Sequence, residues 1–128
     1  MSNLHLTVLS EQLAVCRLAS DAPLPVWSAT GPFISITRTA DELSIVCLEE
    51  SVADGTTVER GWRYLKVEGP LDFALTGILA DLAGALAAVG ISIFAISTFD
   101  TDYLLVKDET LPEAIAVLEA AGHHCRTV

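Results

Sequence analysis

An α+β fold is predicted for this 128-residue chain on three observations. Apolar and polar residues alternate with period two through several short runs, the period that a half-buried strand imposes. Two later runs, residues 72–89 and 111–118, repeat their apolar residues at helical spacing. From Trp62 onward the order reads β-α-β-β-α-β, the split unit in which two helices cover one face of an antiparallel four-stranded sheet.

Taken in order, Leu4, Leu6 and Val8 alternate with His5 and Thr7, and Leu13 and Val15 follow a polar Ser10-Glu11-Gln12 turn, which predicts a β-hairpin. Residues 21–32 hold Pro23, Pro25, Gly31 and Pro32, so an irregular crossing is expected, with at most a helical turn near Val26-Trp27. Ile34 and Ile36, then Leu43, Ile45 and Cys47, flank Thr39-Ala40-Asp41-Glu42 as a second hairpin. Residues 49–61 are polar, carry Gly55 and Gly61 and have no sustained period; they read as a linker between two lobes, 1–60 and 61–128. Trp62 to Val67 predicts a strand, and Gly69-Pro70-Leu71-Asp72 a turn into a helix that stops at Gly90. Ile91 to Thr98 and Tyr103 to Lys107 predict strands around the turn Asp100-Thr101-Asp102. Leu111, Ile115 and Leu118 mark the second helix, ending at Gly122, and His124 to Val128 can close the sheet. The first lobe is then a degenerate copy or a sheet extension.

Composition narrows the function. Lys+Arg 7 against Asp+Glu 17 gives a formal charge of -10, which repels phosphates and anionic lipid alike, so neither nucleic acid nor membrane is an expected partner. The longest dense apolar stretch, Leu75 to Val89, is broken by Thr76, Gly77, Asp81 and Gly84 and falls short of the roughly 20 residues that cross a bilayer. The first residues lack a basic n-region and a long apolar h-region, so a cytoplasmic location is expected. Three cysteines at wide spacing, Cys16, Cys47 and Cys125, fit buried reduced thiols in such a compartment.

Catalytic and metal motifs are missing. Gly90-Ile91-Ser92-Ile93-Phe94 lacks the closing glycine of a nucleophile elbow, and neither phosphate-binding glycine pattern occurs. His123-His124-Cys125 offers adjacent histidines that point apart with no further ligand at usable spacing, and Asp100 and Asp102 lack the regular oxygen series of a calcium loop. No enzyme activity, cofactor or metal is therefore expected. A zwitterionic amino acid, by contrast, finds what it needs. The helix opened at Gly69-Pro70-Leu71-Asp72 presents unpaired amides to a carboxylate, and Asp102 or strand-edge carbonyls accept from an ammonium. Asp72 serves either such a ligand or only the helix start; Ser97-Thr98 either a ligand or local backbone; Phe99 either a ligand or the core. Trp27 and Trp62 read as packing residues or interface anchors.

The run Val67-Glu68-Gly69-Pro70-Leu71-Asp72-Phe73-Ala74-Leu75-Thr76-Gly77-Ile78-Leu79-Ala80, followed by Gly90-Ile91-Ser92-Ile93-Phe94-Ala95-Ile96-Ser97-Thr98-Phe99-Asp100-Thr101-Asp102-Tyr103-Leu104-Leu105-Val106, resembles the tandem-ACT family. That family includes bacterial proteins of this length and the double-length eukaryotic cytosolic arginine sensors. The resemblance implies a ferredoxin-like ACT fold in two ACT-like lobes with antiparallel sheets, and an amino acid held between two ACT units. Carried over to this chain, the contacts are Asp72 and Thr76 at the helix start, Thr98, Phe99 and Asp102 after the second strand, and Ser92 and Ile93 from a facing subunit. Leu75 stands where the arginine sensors carry an acidic residue, which removes one carboxylate suited to a guanidinium. The expected role is an allosteric amino-acid sensor read by a protein partner; the alternative is a ligand-free pairing module or detached regulatory subunit. A helix whose second face carries Ala74, Gly77, Asp81, Gly84, Ala85 and Ala88 has small residues around much of its girth, so a homodimer is expected.

Overall fold

The computed structural model describes residues 3–69 and 77–128. Eight strands and two α-helices follow in the order β1 (His5–Val8), β2 (Leu13–Leu18), β3 (Ser35–Arg38), β4 (Leu43–Leu48), β5 (Thr57–Val67), α1 (Ile78–Ala87), β6 (Phe94–Ser97), β7 (Asp102–Lys107), α2 (Leu111–Ala120) and β8 (His124–Thr127). Two compact units result, one of Met1–Ser10 with Arg63–Val128, the other of Glu11–Trp62. The division is thus not the linear one at residue 60, because the first strand belongs with the C-terminal elements.

In that C-terminal unit β5-α1-β6-β7-α2-β8 is the expected β-α-β-β-α-β unit, with β1 added between its first and last strands. β1 runs antiparallel to β5, pairing Leu6 with Val67 and Val8 with Leu65. It runs parallel to β8, pairing His5 with His124 and Thr7 with Arg126. The sheet order is β8-β1-β5-β7-β6. This corrects two expectations: β1 makes no hairpin with β2, and the sheet is mixed. The alternation of residues 4–8 was read properly as a strand, but a polar turn cannot say which distant strand the apolar face will meet.

Period-two residues Leu6, Val8, Leu65, Val67, Leu104 and Val106 form one face of this sheet and pack against Leu82 and Leu86 of α1 and Leu111, Ala114 and Leu118 of α2. Most of these side chains are fully buried, each contributing about 1.5–3 kcal/mol relative to exposure. Both helices end alike. After α1, the Gly90 N–H donates to Ala87 O (3.0 Å) and the Ile91 N–H to Leu86 O (3.0 Å), while Gly90 sits at φ +78°. These are the paired bonds of a Schellman cap, and Ile91 and Leu86 complete it by sharing the core. After α2, Gly122 and His123 donate to Glu119 and Leu118 in the same way.

The other unit is a sheet of order β3-β4-β2-β5 whose strands all pair antiparallel. It contains no α-helix, only 3-10 turns at Val26–Ala29 and Glu49–Ser51. The β3–β4 hairpin and the short turn at Val26-Trp27 are where the sequence places them. Its core is Ala14, Cys16, Leu43, Ile45, Cys47 and Val52, with Trp27 packed against it from the irregular crossing. The Cys16 and Cys47 thiols lie on one face two registers apart and hydrogen-bond to each other, which with burial pushes the Cys16 thiol far above its usual range. All three cysteines are free thiols.

The expected linker is partly strand. β5 starts at Thr57, pairs with β2 through residues 57–62, and pairs with β1 through residues 65–67. A bulge separates Leu13↔Trp62 from Val15↔Glu59, with three residues of β5 spanning two of β2. Gly61 makes the bulge at φ +83°, and its N–H donates to Glu49 Oε1 at 2.6 Å. A mid-strand glycine beside exposed Glu59 and Arg60 hides the alternation, which is why this stretch looks like a loop in sequence. α1 starts at Ile78, with Gly77 as its N-cap, so the expected start at Asp72 falls outside the described residues.

The Gly90→Ala variant is expected to lose about 1–2 kcal/mol in urea unfolding, because nothing lies within 4 Å of the added Cβ and the cost is that of a left-handed backbone alone.

Candidate functional site

The β6–β7 turn carries three of the predicted site residues, Thr98, Phe99 and Asp102. Ser97 and Asp102 pair across its base, and Ser97 Oγ donates to Asp102 Oδ1 at 2.6 Å. Inside that pair, the Thr98 N–H donates to Thr101 O at 2.8 Å. Thr98 Oγ1 donates to the same carbonyl at 3.0 Å and accepts from the Thr101 N–H at 3.3 Å. Thr101 is the anchor: its side chain is buried, and Oγ1 donates to Val67 O, the last residue of β5, at 2.5 Å. A buried hydroxyl with its partner in place has its desolvation offset by the bond and holds the turn against the neighbouring strand.

This frame presents Thr98 and Phe99 outward. Phe99 is 81% exposed, so the reading of it as a core residue is corrected. Asp102 is half-buried beside Ser97. Asp72 and Thr76 lie outside the described residues. Ser92 and Ile93 precede β6, whereas Thr98 and Asp102 follow it; four residues of strand put roughly 13 Å between the two groups. One copy of the chain therefore does not gather them.

Beside the turn is a hollow of about 170 Å³ lined by Lys66, Gly69, Asp100, Thr101 and Tyr103. Sequence reading missed Lys66, Thr101 and Tyr103 as site residues. Lys66 and Tyr103 fall on the non-helical face of the sheet, opposite core residues Leu65 and Leu104, and period two places them there once the core face is known. Lys66 Nζ stands 3.7 Å from Glu68 Oε1 with both side chains about 40% exposed, a loose pair worth less than ~1 kcal/mol. Glu68 is more firmly held by Thr7, whose Oγ1 donates to Oε2 at 2.5 Å. That bond, aided by Lys66 and Arg126, holds the Glu68 carboxyl below the usual carboxylate range. At the start of α1, Gly77 makes no side-chain cap bond, and the first intrahelical bond runs from the Asp81 N–H to Gly77 O at 2.8 Å. The amides just before it point toward the helix opening without intrahelical partners.

The histidines separate as expected for adjacent strand residues. His123 is buried and its Nδ1 accepts the Leu4 N–H at 3.2 Å, while His124 is exposed and stacks on His5, ring centroids 4.8 Å apart. Among the described residues no three His, Cys, Asp or Glu side chains gather as metal ligands, and no helix is long and apolar enough to cross a membrane.

A family model described as ACT domain matches residues 57–120, half of the chain, and a model of an N-terminal domain matches residues 11–55. The chain belongs to the ACT-domain family. Among curated relatives, the human cytosolic arginine sensor for mTORC1 subunit 1 is 44% identical over 59 residues, which cover 45% of this chain. The match spans only 18% of that relative's length. A crystal structure of a protein from Agobacterium tumefaciens superposes with TM-score 0.95 at 38% identity, over 100% of this chain and 96% of that one. Aspartate kinase from Clostridium acetobutylicum shares the fold, with TM-score 0.66 at 10% identity, over 88% of this chain and 33% of the kinase.

Two outcomes test the site geometry. Thr101→Val is expected to cost about 1 kcal/mol and to speed hydrogen exchange at the Thr98 amide while leaving α2 protected. Thr7→Val is expected to move the Glu68 carboxyl up toward its ordinary 4.5, read by carboxyl-carbon NMR titration. Because the folded pKa is the lower one, this group's stabilisation is present above the unfolded value and lost as pH falls through the folded value. The variant should accordingly show less loss of stability below pH ~4.5 than the parent chain does.

Proposed function

We propose that this protein is an amino-acid-binding regulatory protein of the cytoplasm, without catalytic activity, that acts through the pairing of its ACT units. The observation that carries the reading is the hollow beside the anchored β6–β7 turn, lined by both a cation, Lys66, and a carboxylate, Asp100. An α-amino acid presents one carboxylate and one ammonium a few ångströms apart. Lys66, held only loosely by Glu68, is available to the carboxylate together with the amides at the start of α1; Asp100 and Asp102 are available to the ammonium. Thr98 and Phe99 belong to the same turn, and Asp72 and Thr76, outside the described residues, are the contacts that the resemblance to the tandem-ACT family adds. The arginine sensor supports the ligand class, while Leu75 argues against arginine itself.

One spacing supports pairing. Ser92 and Ile93 stand at the far end of β6 from Thr98 and Asp102, so a ligand that touches both groups needs a second copy of the chain. Gly84 lies exposed on α1 with nothing within 4 Å of an added Cβ, which makes a substitution there compatible with the fold and informative about the pair. Ligand binding at the junction shifts the pairing equilibrium only to the extent that it favours one state, and a protein partner reads that shift.

Thermal shift with each of the twenty amino acids tests the reading. A ligand at ~100 times its dissociation constant adds ~2.7 kcal/mol, a rise in Tm that Asp102→Ala should abolish while the unliganded Tm holds. Absence of a shift with every amino acid would leave a ligand-free pairing module. Gly84→Glu should convert a dimer to a monomer in light scattering; a parent chain that is already monomeric at micromolar concentration would sink the pairing.

A further inference from the structure

The added strand β1 builds a second polar cluster that lies apart from the β6–β7 turn, on the other side of β5 in the sheet order. Parallel pairing sets His5 beside His124 and Thr7 beside Arg126, and antiparallel pairing sets Lys66 opposite Thr7. All five alternate with the core residues Leu6 and Leu65, so they share the face away from the helices. Between them is a hollow of about 270 Å³, lined by His5, Thr7, Glu68, His124 and Arg126, with Leu6 and Cys125 at its base.

The hydrogen-bonding state of the cluster is one-sided. Its single carboxylate, Glu68, is engaged: Oε2 accepts from Thr7 and Oε1 faces Lys66. Its donors are open. Among the described residues, nothing accepts a hydrogen bond from the Arg126 guanidinium or from the His5 and His124 rings, which only stack on each other at an interplanar angle of 17°. A ligand that satisfied this hollow would have to be rich in acceptors and poor in donors. The charge distribution agrees. In a chain of formal charge -10, with Lys+Arg 7 and His 3, this one patch gathers Lys66, Arg126 and two of the three histidines. Two cations and two imidazoles against one carboxylate make this patch a local attraction for anions within an acidic chain. A guanidinium fork matches a carboxylate or phosphate in two parallel bonds, and a flanking pair of imidazoles adds donors at the side.

We propose that this hollow is an anion site, which takes a small molecule through a carboxylate or a phosphate group. It depends on β1 standing between β5 and β8, so it is a property of the added strand and not of the β-α-β-β-α-β unit. Its lining shares no residue with the hollow proposed for the amino acid, although Lys66, which borders that hollow, also stands beside this one through Glu68.

The test is a titration of the full chain with inorganic phosphate, and separately with succinate, at constant pH and ionic strength, with sodium chloride as the reference salt. The three imidazoles are followed by NMR. His5 and His124 are expected to shift and saturate, while buried His123, whose Nδ1 already accepts the Leu4 N–H, stays in place. Arg126→Gln removes the charge and the guanidinium fork but keeps a polar side chain on an exposed strand position, and should weaken binding about tenfold or more, as removal of a bidentate charged pair does. His124→Gln serves as a second variant, and Asp102→Ala should leave this binding intact even if it abolishes any amino-acid response. Tighter binding of phosphate than of succinate identifies the phosphate group, and the reverse identifies the carboxylate. Linear, unsaturated shifts equal to those with chloride, or saturation unchanged in Arg126→Gln, would overturn the proposal.

Discussion

Strand β1 is the piece on which the C-terminal unit depends. It is only four residues long, yet it is hydrogen-bonded along both edges, to β5 on one side and β8 on the other. Bonds continue past its ends, from the Glu68 N–H to His5 O, from the His124 N–H to Leu4 O and from the Val128 N–H to Val8 O. Leu6 and Val8 meanwhile fill the centre of the core under both helices. Without β1 the first and last strands of the β-α-β-β-α-β unit would each expose a row of unpaired backbone groups, and the helices would lie over a gap. The pairing joins residue 5 to residue 124, a loop closure that local contacts cannot guide. The unit therefore completes itself only when nearly the whole chain is present.

The same strand explains why β5 is long and irregular. Its eleven residues pair with β2 and then β1 in turn, and with β7 as well, and the Gly61 bulge falls just before the change from β2 to β1. A bulge increases local twist and re-aims the strand without breaking it. Glu49 steadies the bulge by accepting the amide that the extra residue releases from the ladder.

Polar function is concentrated on side chains that alternate with the core. Lys66 and Tyr103 border one hollow, and His5, Thr7, His124 and Arg126 border the other. Each points away from the helices because its neighbours Leu6, Leu65 and Leu104 must point toward them. The rigidity of the core thus fixes the polar groups at little cost in side-chain entropy of their own, and the buried Thr101 hydroxyl extends that rigidity to the one turn that carries Thr98, Phe99 and Asp102. As an ACT-family chain, this protein places its candidate chemistry at strand ends and turns held by a packed scaffold, where binding residues are commonly found.

The sequence by itself determined most element types, though not the strand in residues 57–61, because period two and helical spacing are imposed by the burial of one face and survive any choice of neighbours. It also determined both helix ends at Gly90 and Gly122, where the backbone demands a left-handed residue, and it carried enough of the helix-start and strand motifs to indicate the ACT family. The turn that carries Thr98 and Asp102 was legible because its polar residues interrupt two apolar runs. Pairing was decided by tertiary structure alone. Whether residues 5–8 bond to residues 13–18 or to residues 65–67 and 124–127 depends on which apolar faces can be buried together, and the alternation is identical in both cases. The meeting of His5, His124 and Arg126 follows from that pairing, and the buried tie of Thr101 to Val67 follows from the separate pairing of β7 with β5. Residues more than a hundred positions apart share a face only after the sheet has formed, so no local signal announces them.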